Sequence, residues 1–454
     1  MISFLPLGGG NEIGANSYYL NFNGNGIIID CGIHPQKTGL ESLPNFDLIK
    51  DKSVDSCLIS HAHQDHIGSL PFLVKKFPYV KIITTPQTRA LAELTLHNSV
   101  SILKKEIEKT DFEFYSHDEV DLLFKMIDYK EYQNEFGLNS YHQQKDAKVN
   151  CTFYDAGHIL GSAGILLQNN NHKIFYTGDI NLSSQTLQPA AKLPEIKIDT
   201  LILETTYGAT DSDLLLDWNS ESLRFAREAN NILNDGGSIL IPVFSLGKMQ
   251  EMLGTIWKLM LKQKLTTVDI YTGGLGTKIN RAYDYNRFVV YRVDEGFELN
   301  AITQKDYYEI SNPEEFFKHP CIVLASSGMM IKSTSSFTFA KRWLKQKDSA
   351  IFTVGYMAED TPGYIIANSE RGDKIQLTGF DEPTEVNCTI KNFKFSAHAR
   401  REDLLKIVNK LKPENVILTH GDEEALDWMG SSILKQQKNI KVQTAEVGKE
   451  INFF

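Results

Sequence analysis

The segment His61-Ala62-His63-Gln64-Asp65-His66 constrains this chain more than any other, because four metal-competent side chains fall within six residues. It follows an apolar run, Ser56-Cys57-Leu58-Ile59-Ser60, that reads as a buried strand. It precedes Ile67-Gly68-Ser69-Leu70-Pro71, where a helix can begin. Ligands on a strand-to-helix turn can converge on one point, whereas strand residues alternate between faces. The chain has only 12 histidines in 454 residues and three fall here, so a His-rich surface loop arising by chance is a poor account. Imidazole and carboxylate together suit zinc or a neighbouring first-row metal.

Three later segments share one form, an apolar strand running into a short Gly- or Ser-containing loop with a ligand-type residue. They are Tyr154-Asp155-Ala156-Gly157-His158, Ile174-Phe175-Tyr176-Thr177-Gly178-Asp179 and Val416-Ile417-Leu418-Thr419-His420-Gly421. Glu204, after Thr200-Leu201-Ile202-Leu203, and His398, in Phe395-Ser396-Ala397-His398-Ala399, sit in similar settings. Each alone reads more readily as an ordinary loop residue than as a ligand. Their order and spacing as a set are what carry weight.

Asp30 in Ile28-Ile29-Asp30-Cys31-Gly32, the His-x-His-x-Asp-His turn, Gly157-His158 and Gly178-Asp179 resemble the four motifs of the metallo-β-lactamase fold. Glu204 in Leu203-Glu204-Thr205-Thr206-Tyr207-Gly208, His398 and His420 resemble the three further motifs of the β-CASP nucleases. The resemblance runs from Leu7-Gly8-Gly9-Gly10 to the last strands. It implies an α/β protein, a four-layer αββα metallo-β-lactamase sandwich with an inserted αβ β-CASP domain and the active site in the cleft between them. It also implies that His61, His63 and His158 hold one metal and Asp65, His66 and His420 the other, with Asp179 bridging. The cofactor expected is two divalent ions, most naturally zinc. Asp30 is expected to orient a ligand from behind without touching metal.

Length and composition agree. A chain of 454 residues is long for one core and suggests two domains. No window reaches the roughly 18 apolar residues of a membrane span. The start, Met1-Ile2-Ser3-Phe4-Leu5-Pro6, lacks the basic and apolar regions of a signal peptide. Cys31, Cys57, Cys151, Cys321 and Cys388 are scattered and odd in number, and they read as free buried thiols of a reducing, cytoplasmic setting.

Short strands and helices alternate up to about Gly208, with a mostly helical stretch over 85–147 that is rich in Lys and Glu. A second αβ block follows: a helix over Ser222 to Leu233, a buried strand over Ser238 to Phe244, then a helix from Lys248. Further apolar strands at 322–325 and 351–354 point to a parallel sheet. The expected division is 1–208 and 369–454 for the metallo-β-lactamase domain and 209–368 for the insert. His420 follows the insert, so the last segment must fold back on the first domain.

The resemblance implies a metal-dependent ribonuclease, endo- or exonucleolytic, acting on single-stranded RNA. RNA is preferred over DNA because RNA-processing members carry His at the last motif, where His420 stands. Asp65 would orient the attacking water. His398 would protonate the leaving 3′-oxygen, and Glu204 would fix its tautomer. Ser396, Ser327 and Lys248 are candidate phosphate contacts, although Lys248 stands where many relatives have Arg and cannot make its bidentate contact. No membrane partner is expected; a homodimer fits the family. The net charge of -10 weighs against a nucleic-acid substrate, but two divalent ions would dominate the field at the site. The alternatives are a non-catalytic RNA-processing scaffold or another hydrolase on the same fold, a thioesterase or a DNA nuclease. A thioesterase has no need of Glu204, His398 or the insert.

Overall fold

Strands of the first unit that are apolar and buried on both faces explain its layers. The computed structural model describes residues 2–107, 115–138, 148–379 and 381–453. It divides into two compact units, one of 1–183, 190–214 and 398–454, the other of 184–189 and 215–397.

The first unit contains two seven-stranded sheets. One runs in the order Ile451–Phe453, Ile2–Gly8, Ser17–Phe22, Asn25–Ile29, Ser56–Leu58, Lys81–Thr84, Ile127–Tyr129. The other runs Lys441–Thr444, Asn415–Thr419, Thr200–Glu204, Lys173–Tyr176, Ala163–Gln168, Val149–Asp155, Phe136–Leu138. Side chains of a strand point to opposite faces in turn. Ile165, Leu167, Ile174, Tyr176 and Ile202 therefore meet Phe4, Leu20, Ile27, Ile29 and Leu58 of the first sheet in one buried cluster. Leu166, Phe175, Leu201 and Leu203, one residue out of step, pack with Leu404, Ile407, Val408, Met429 and Ile433 of the helices Arg401–Leu411 and Glu423–Gln436. Helices Leu70–Lys76, Pro86–Ile107 and His117–Met126 follow strands of the first sheet. The result is the four-layer αββα order expected from the motifs.

The stretch 85–147 is mostly helical where described, over Pro86–Ile107 and His117–Met126, but it also holds two short strands. After His117–Met126 the chain forms the short strands Ile127–Tyr129 and Phe136–Leu138, one at the edge of each sheet. Residues 108–114 and 139–147 of that stretch lie outside the described residues.

The second unit is built on a parallel sheet in the order Lys305–Asp306, Asp269–Thr272, Cys321–Ala325, Ile239–Pro242, Ala350–Val354, Thr389–Phe393. Its central strands are wholly buried, as a sheet covered on both faces requires. Thr389–Phe393 pairs in parallel with Ala350–Val354. The second unit accordingly runs on to 397, past the expected boundary at 368, because this strand completes the edge of its sheet. All five cysteines are buried and free. Among the described residues, no helix is long and apolar enough to cross a membrane.

One close approach fixes the turn that carries the metal-competent residues. A Cβ on Gly32 would lie 1.7 Å from the carbonyl oxygen of Asp65 and 2.0 Å from its carbon. Neighbouring backbone bonds, Cys31 N to His66 O and Ile33 N to Gln64 O, hold the two segments in contact. Gly32→Ala should therefore cost about 3 kcal/mol or more in denaturant unfolding, above the usual overpacking penalty because backbone must move. Gly236→Ala, at φ +90° with nothing within 4 Å, should cost only about 1–2 kcal/mol.

Candidate metal centre

The metal-competent residues sit at or just after strand ends, so that the strand ladder aligns their backbones. His61 and His63 follow Ser56–Leu58, while Asp65 and His66 lie on the single helical turn Gln64–Ile67. His158 lies between Val149–Asp155 and Ala163–Gln168, and Asp179 follows Lys173–Tyr176. Glu204 ends its strand, paired in register with Thr419, and His420 comes next. Asp30 and His420 both adopt left-handed φ, +59° and +52°. Each such non-glycine residue costs about 1–2 kcal/mol, which the surrounding bonds must offset. His420 is held by its backbone N–H to Gly9 O.

The side chains gather into two adjoining groups, His61, His63, His158 and Asp179, and Asp65, His66 and His420. His63 Nδ1 lies 3.1 Å from His61 Nε2 and 3.2 Å from His158 Nε2. Asp179 faces both groups. Its Oδ2 is 3.5 Å from His61 Nε2 and 3.6 Å from His158 Nε2. Its Oδ1 is 3.4 Å from His66 Nε2 and 3.5 Å from His420 Nδ1. Asp65 Oδ2 is 3.4 Å from both His66 Nε2 and His420 Nε2. Donors bound at about 2.0–2.1 Å around a tetrahedral ion lie roughly 3.3 Å apart, so these spacings match the edges of metal shells. Asp179 Oδ1 is buried and makes no hydrogen bond. An orphaned carboxylate oxygen at that point is costly unless a cation faces it. The residues present fit a metal centre of His and Asp ligands.

The carboxylate of Asp30, fully buried, prepares the donors. It accepts from Ser60 N and Ser60 Oγ, both at 2.7 Å, and from His66 Nδ1 and the Tyr176 hydroxyl, both at 2.8 Å. With His66 Nδ1–H committed to Asp30, the lone pair is on Nε2, the atom facing Asp65 and Asp179. Ser60 Oγ, which donates to Asp30, lies 3.0 Å from His61 Nδ1 and can accept its N–H. Asn16 Nδ2 contacts His66 Nε2 at 3.0 Å and Asp65 Oδ2 at 3.4 Å.

Titration behaviour divides the cluster. Burial, then the neighbouring imidazoles of His66, His63 and His158, hold His61 well below the ordinary histidine range, in the neutral form that binds metal. Burial also opposes charge on His66 and His420, but the carboxylates around them, Asp179 and Asp65 for both and Asp30 for His66, outweigh it and raise both.

His398 approaches the cluster without joining it. Its ring centroid is 4.6 Å from that of His158. Its Nδ1 lies 3.1 and 3.3 Å from the two oxygens of Glu204. Burial of Glu204 is outweighed by His398 and its hydrogen bonds, so its carboxyl falls to about 2. Glu204 also accepts from Ile180 N and from the Thr206 hydroxyl, and Thr206 Oγ1 sits 3.0 Å from His420 Nδ1. Thr206 thus links the acid of one pair to a histidine of the cluster.

Ser327, Ser396 and Lys248 belong to the second unit. Ser327 Oγ accepts from Ile331 N. Lys248 is 9% exposed, donates to the Phe395 carbonyl and lies 5.2 Å from the Trp218 ring centroid. Burial lowers its pKa to about 8. It is a structural cation in this conformation, unlike the exposed phosphate contact its motif position suggests. Sequence reasoning missed Ser60, Tyr176, Asn16 and Thr206. Only Thr206, two residues beyond Glu204, carried a local signal, since a hydroxyl at that spacing commonly bonds back to a carboxylate.

Three family models match segments of the chain: a metallo-β-lactamase superfamily domain over residues 19–205, a Beta-Casp domain over 249–366, and a Zn-dependent metallo-hydrolase RNA specificity domain over 383–445. The chain is 31% identical over 421 residues to the RNase J-like protein of Methanocaldococcus jannaschii, covering 91% of each. It is 30% identical over 452 residues to the cleavage and polyadenylation specificity factor subunit 3 of Dictyostelium discoideum, covering 98% of this chain and 56% of that protein. Two further eukaryotic relatives are spanned to 63–64% of their own length. A protein of unknown function from Enterococcus faecalis has the same fold, with a TM-score of 0.58 at 13% identity over 99% of both chains. With near full-length identity to the archaeal protein and all three domain models matched in order, the chain belongs to the β-CASP family of metallo-β-lactamase-fold proteins.

Proposed function

We propose that the protein is a metal-dependent ribonuclease that hydrolyses phosphodiester bonds of single-stranded RNA, holding two divalent ions, zinc in the first instance. The observation that carries this reading is His398, paired with Glu204 and set beside His158 but outside both metal groups. A hydrolase that needs only metals has no use for it. The names of the archaeal and Dictyostelium relatives, an RNase J-like protein and a cleavage and polyadenylation specificity factor subunit 3, support RNA as the substrate.

His61, His63, His158 and Asp179 would hold one ion and Asp65, His66, His420 and Asp179 the other. Bound there, the ions supply positive charge that acidifies a water and offsets the charge growing on phosphate oxygens. Asp65, 22% exposed, is the most open carboxylate of the cluster and can accept a hydrogen bond from the attacking water, aligning it. Glu204 accepts from His398 Nδ1–H, which leaves Nε2 to carry the transferable proton. The low pKa of Glu204 keeps it ionised at neutral pH, and its charge favours the imidazolium. Water oxygen forms the new bond to phosphorus, the bond from phosphorus to the 3′-oxygen breaks, and the Nε2 proton passes to that oxygen. The products are a 3′-hydroxyl and a 5′-phosphate.

Metal analysis of purified protein should find close to two zinc ions per chain. His158→Ala should lose metal and all cleavage; full metal and activity in that variant would refute the ligand assignment. Asp30→Asn keeps every ligand but loses the charge that orients His66, so metal affinity should fall about 10–100-fold in chelator competition.

His398→Ala should keep its metals and still bind RNA, while turnover falls roughly 10²–10⁴-fold. A nitrophenyl phosphodiester, whose leaving group needs no proton, should recover much of that loss. In Glu204→Gln the imidazolium is less favoured, so the alkaline limb of the pH–rate profile should move to lower pH. Near-normal RNA cleavage by His398→Ala, or metal loss in step with activity, would remove His398 from the mechanism. Labelling the RNA at either end and following product lengths decides between internal cutting and processive trimming.

A further inference from the structure

The hydroxyl of Thr206 touches two groups that carry separate roles in the proposed reaction. Thr206 comes two residues after the strand Thr200–Glu204, whose last residue pairs in register with Thr419. The bond from Thr205 N to His420 O, at 3.3 Å, and that from Thr205 Oγ1 to Thr419 O, at 3.1 Å, hold this turn against the end of Asn415–Thr419. Gly421 permits the approach, since a Cβ there would lie 2.1 Å from Thr205 Oγ1. Thr206 Oγ1 is thereby carried to 3.0 Å from His420 Nδ1, while it also bonds to Glu204 Oε2.

Counting hydrogens fixes the direction of each bond. The Glu204 carboxylate accepts from Ile180 N at 2.8 Å and from Thr206 N at 3.2 Å, and His398 Nδ1 faces both of its oxygens. A carboxylate so filled has no hydrogen to offer, and the Thr206 hydroxyl has one, which goes to Oε2. Only a lone pair of Oγ1 then remains for His420, so Nδ1 carries the ring hydrogen. Asp179 Oδ1, the other acceptor near Nδ1, is 3.5 Å away and makes no hydrogen bond. The imidazole lone pair therefore falls on Nε2, which is 3.4 Å from Asp65 Oδ2. Glu204 thus orients His420 through one hydroxyl, as Asp30 orients His66 directly. The two imidazoles of the Asp65, His66 and His420 group are each backed by a buried carboxylate.

We infer that Thr206 is a positioning residue for this group: its hydroxyl relays Glu204 to His420 and fixes the tautomer in which Nε2 faces the metal. The inference rests on the reading of the cluster as a metal centre. It makes the two halves of the proposed reaction share one carboxylate. Damage to Glu204 costs metal affinity as well as the orientation of the proton donor, whereas loss of His398 leaves the relay to His420 whole.

Nitrogen NMR of the zinc-loaded, full-length chain, isotopically labelled at histidine, tests this without RNA. In the natural protein the His420 ring, assigned by its loss in His420→Gln, should show a protonated Nδ1 and a metal-bound Nε2. Thr206→Val keeps the shape of the side chain without its hydroxyl. In that variant the Nδ1 signal should shift, and chelator competition should find one ion held about 10–100-fold more weakly, with the other unchanged. Thr206→Ser, which keeps the hydroxyl, should restore both signal and affinity. Glu204→Gln should weaken the same ion, and its loss should not add to that of Thr206→Val, since both break one chain of bonds. A hydrogen on Nε2 of His420 in the natural protein overturns the inference, and this measurement decides the matter even where Thr206→Val does not fold. Both ions held as tightly by Thr206→Val as by the natural protein would also overturn it. So would an equal loss of affinity in Thr206→Ser, which would make Thr206 a residue of the turn alone. A natural protein that shows the expected tautomer and two bound ions but cleaves no RNA would count against the ribonuclease reading and leave this inference standing.

Discussion

Four hydrogen bonds converge on the buried carboxylate of Asp30, and the metal-competent cluster depends on them. A carboxylate taken out of water is costly unless its lone pairs are filled. Here Ser60, His66 and Tyr176 fill them from three elements: the turn after Ser56–Leu58, the helical turn Gln64–Ile67 and the strand Lys173–Tyr176. The same bonds that satisfy Asp30 fix the tautomer of His66 and, through Ser60, aim His61. Stability and ligand geometry are one arrangement here, which is why Asp30 holds a left-handed φ that a non-glycine residue otherwise avoids.

A second carboxylate repeats the device on the opposite side. Glu204 is buried, accepts from Ile180 N, the Thr206 hydroxyl and His398, and reaches His420 through Thr206. The strand pairing of Thr200–Glu204 with Asn415–Thr419 brings the two motifs together although 216 residues separate Glu204 from His420 (420 minus 204). The carboxylate that pairs with the proposed proton donor and one proposed metal ligand are therefore mounted on adjacent strands. Displacing either strand would disturb both.

The legibility of this site followed from how narrowly each role restricts residue type. Soft-to-borderline metals accept few side chains, so His61, His63, Asp65 and His66 stand out in one turn, and the strand-then-loop form exposes His158, Asp179 and His420. Their supports do not stand out. A donor to Asp30 can be any hydroxyl or amide within reach, so nothing in the sequence marks Tyr176, Ser60 or Asn16 for that role. The layers were legible through the motif resemblance and not through alternation, since Ile165-Leu166-Leu167 is apolar throughout while its odd and even members face different cores. The edge strands were not. Ile127–Tyr129 and Phe136–Leu138 are three residues each, too short to show a period. Thr389–Phe393 buries only Phe393 fully, since it lies at the rim of its sheet, so nothing in its sequence marks which sheet it joins.

Net charge and substrate then stop being in conflict. Several acids counted in the -10 are Asp30, Asp65, Asp179 and Glu204, which are committed to imidazoles and, on the proposed reading, to metal. They describe the interior of the site and not the face an RNA meets. These carboxylates raise His66 and His420 above the ordinary histidine range, so the site favours positive charge, which divalent ions bound there would supply. On the proposed reading, an acidic chain can thus meet a polyanion through metals at the point of chemistry, where net charge over the whole chain says little about the local field.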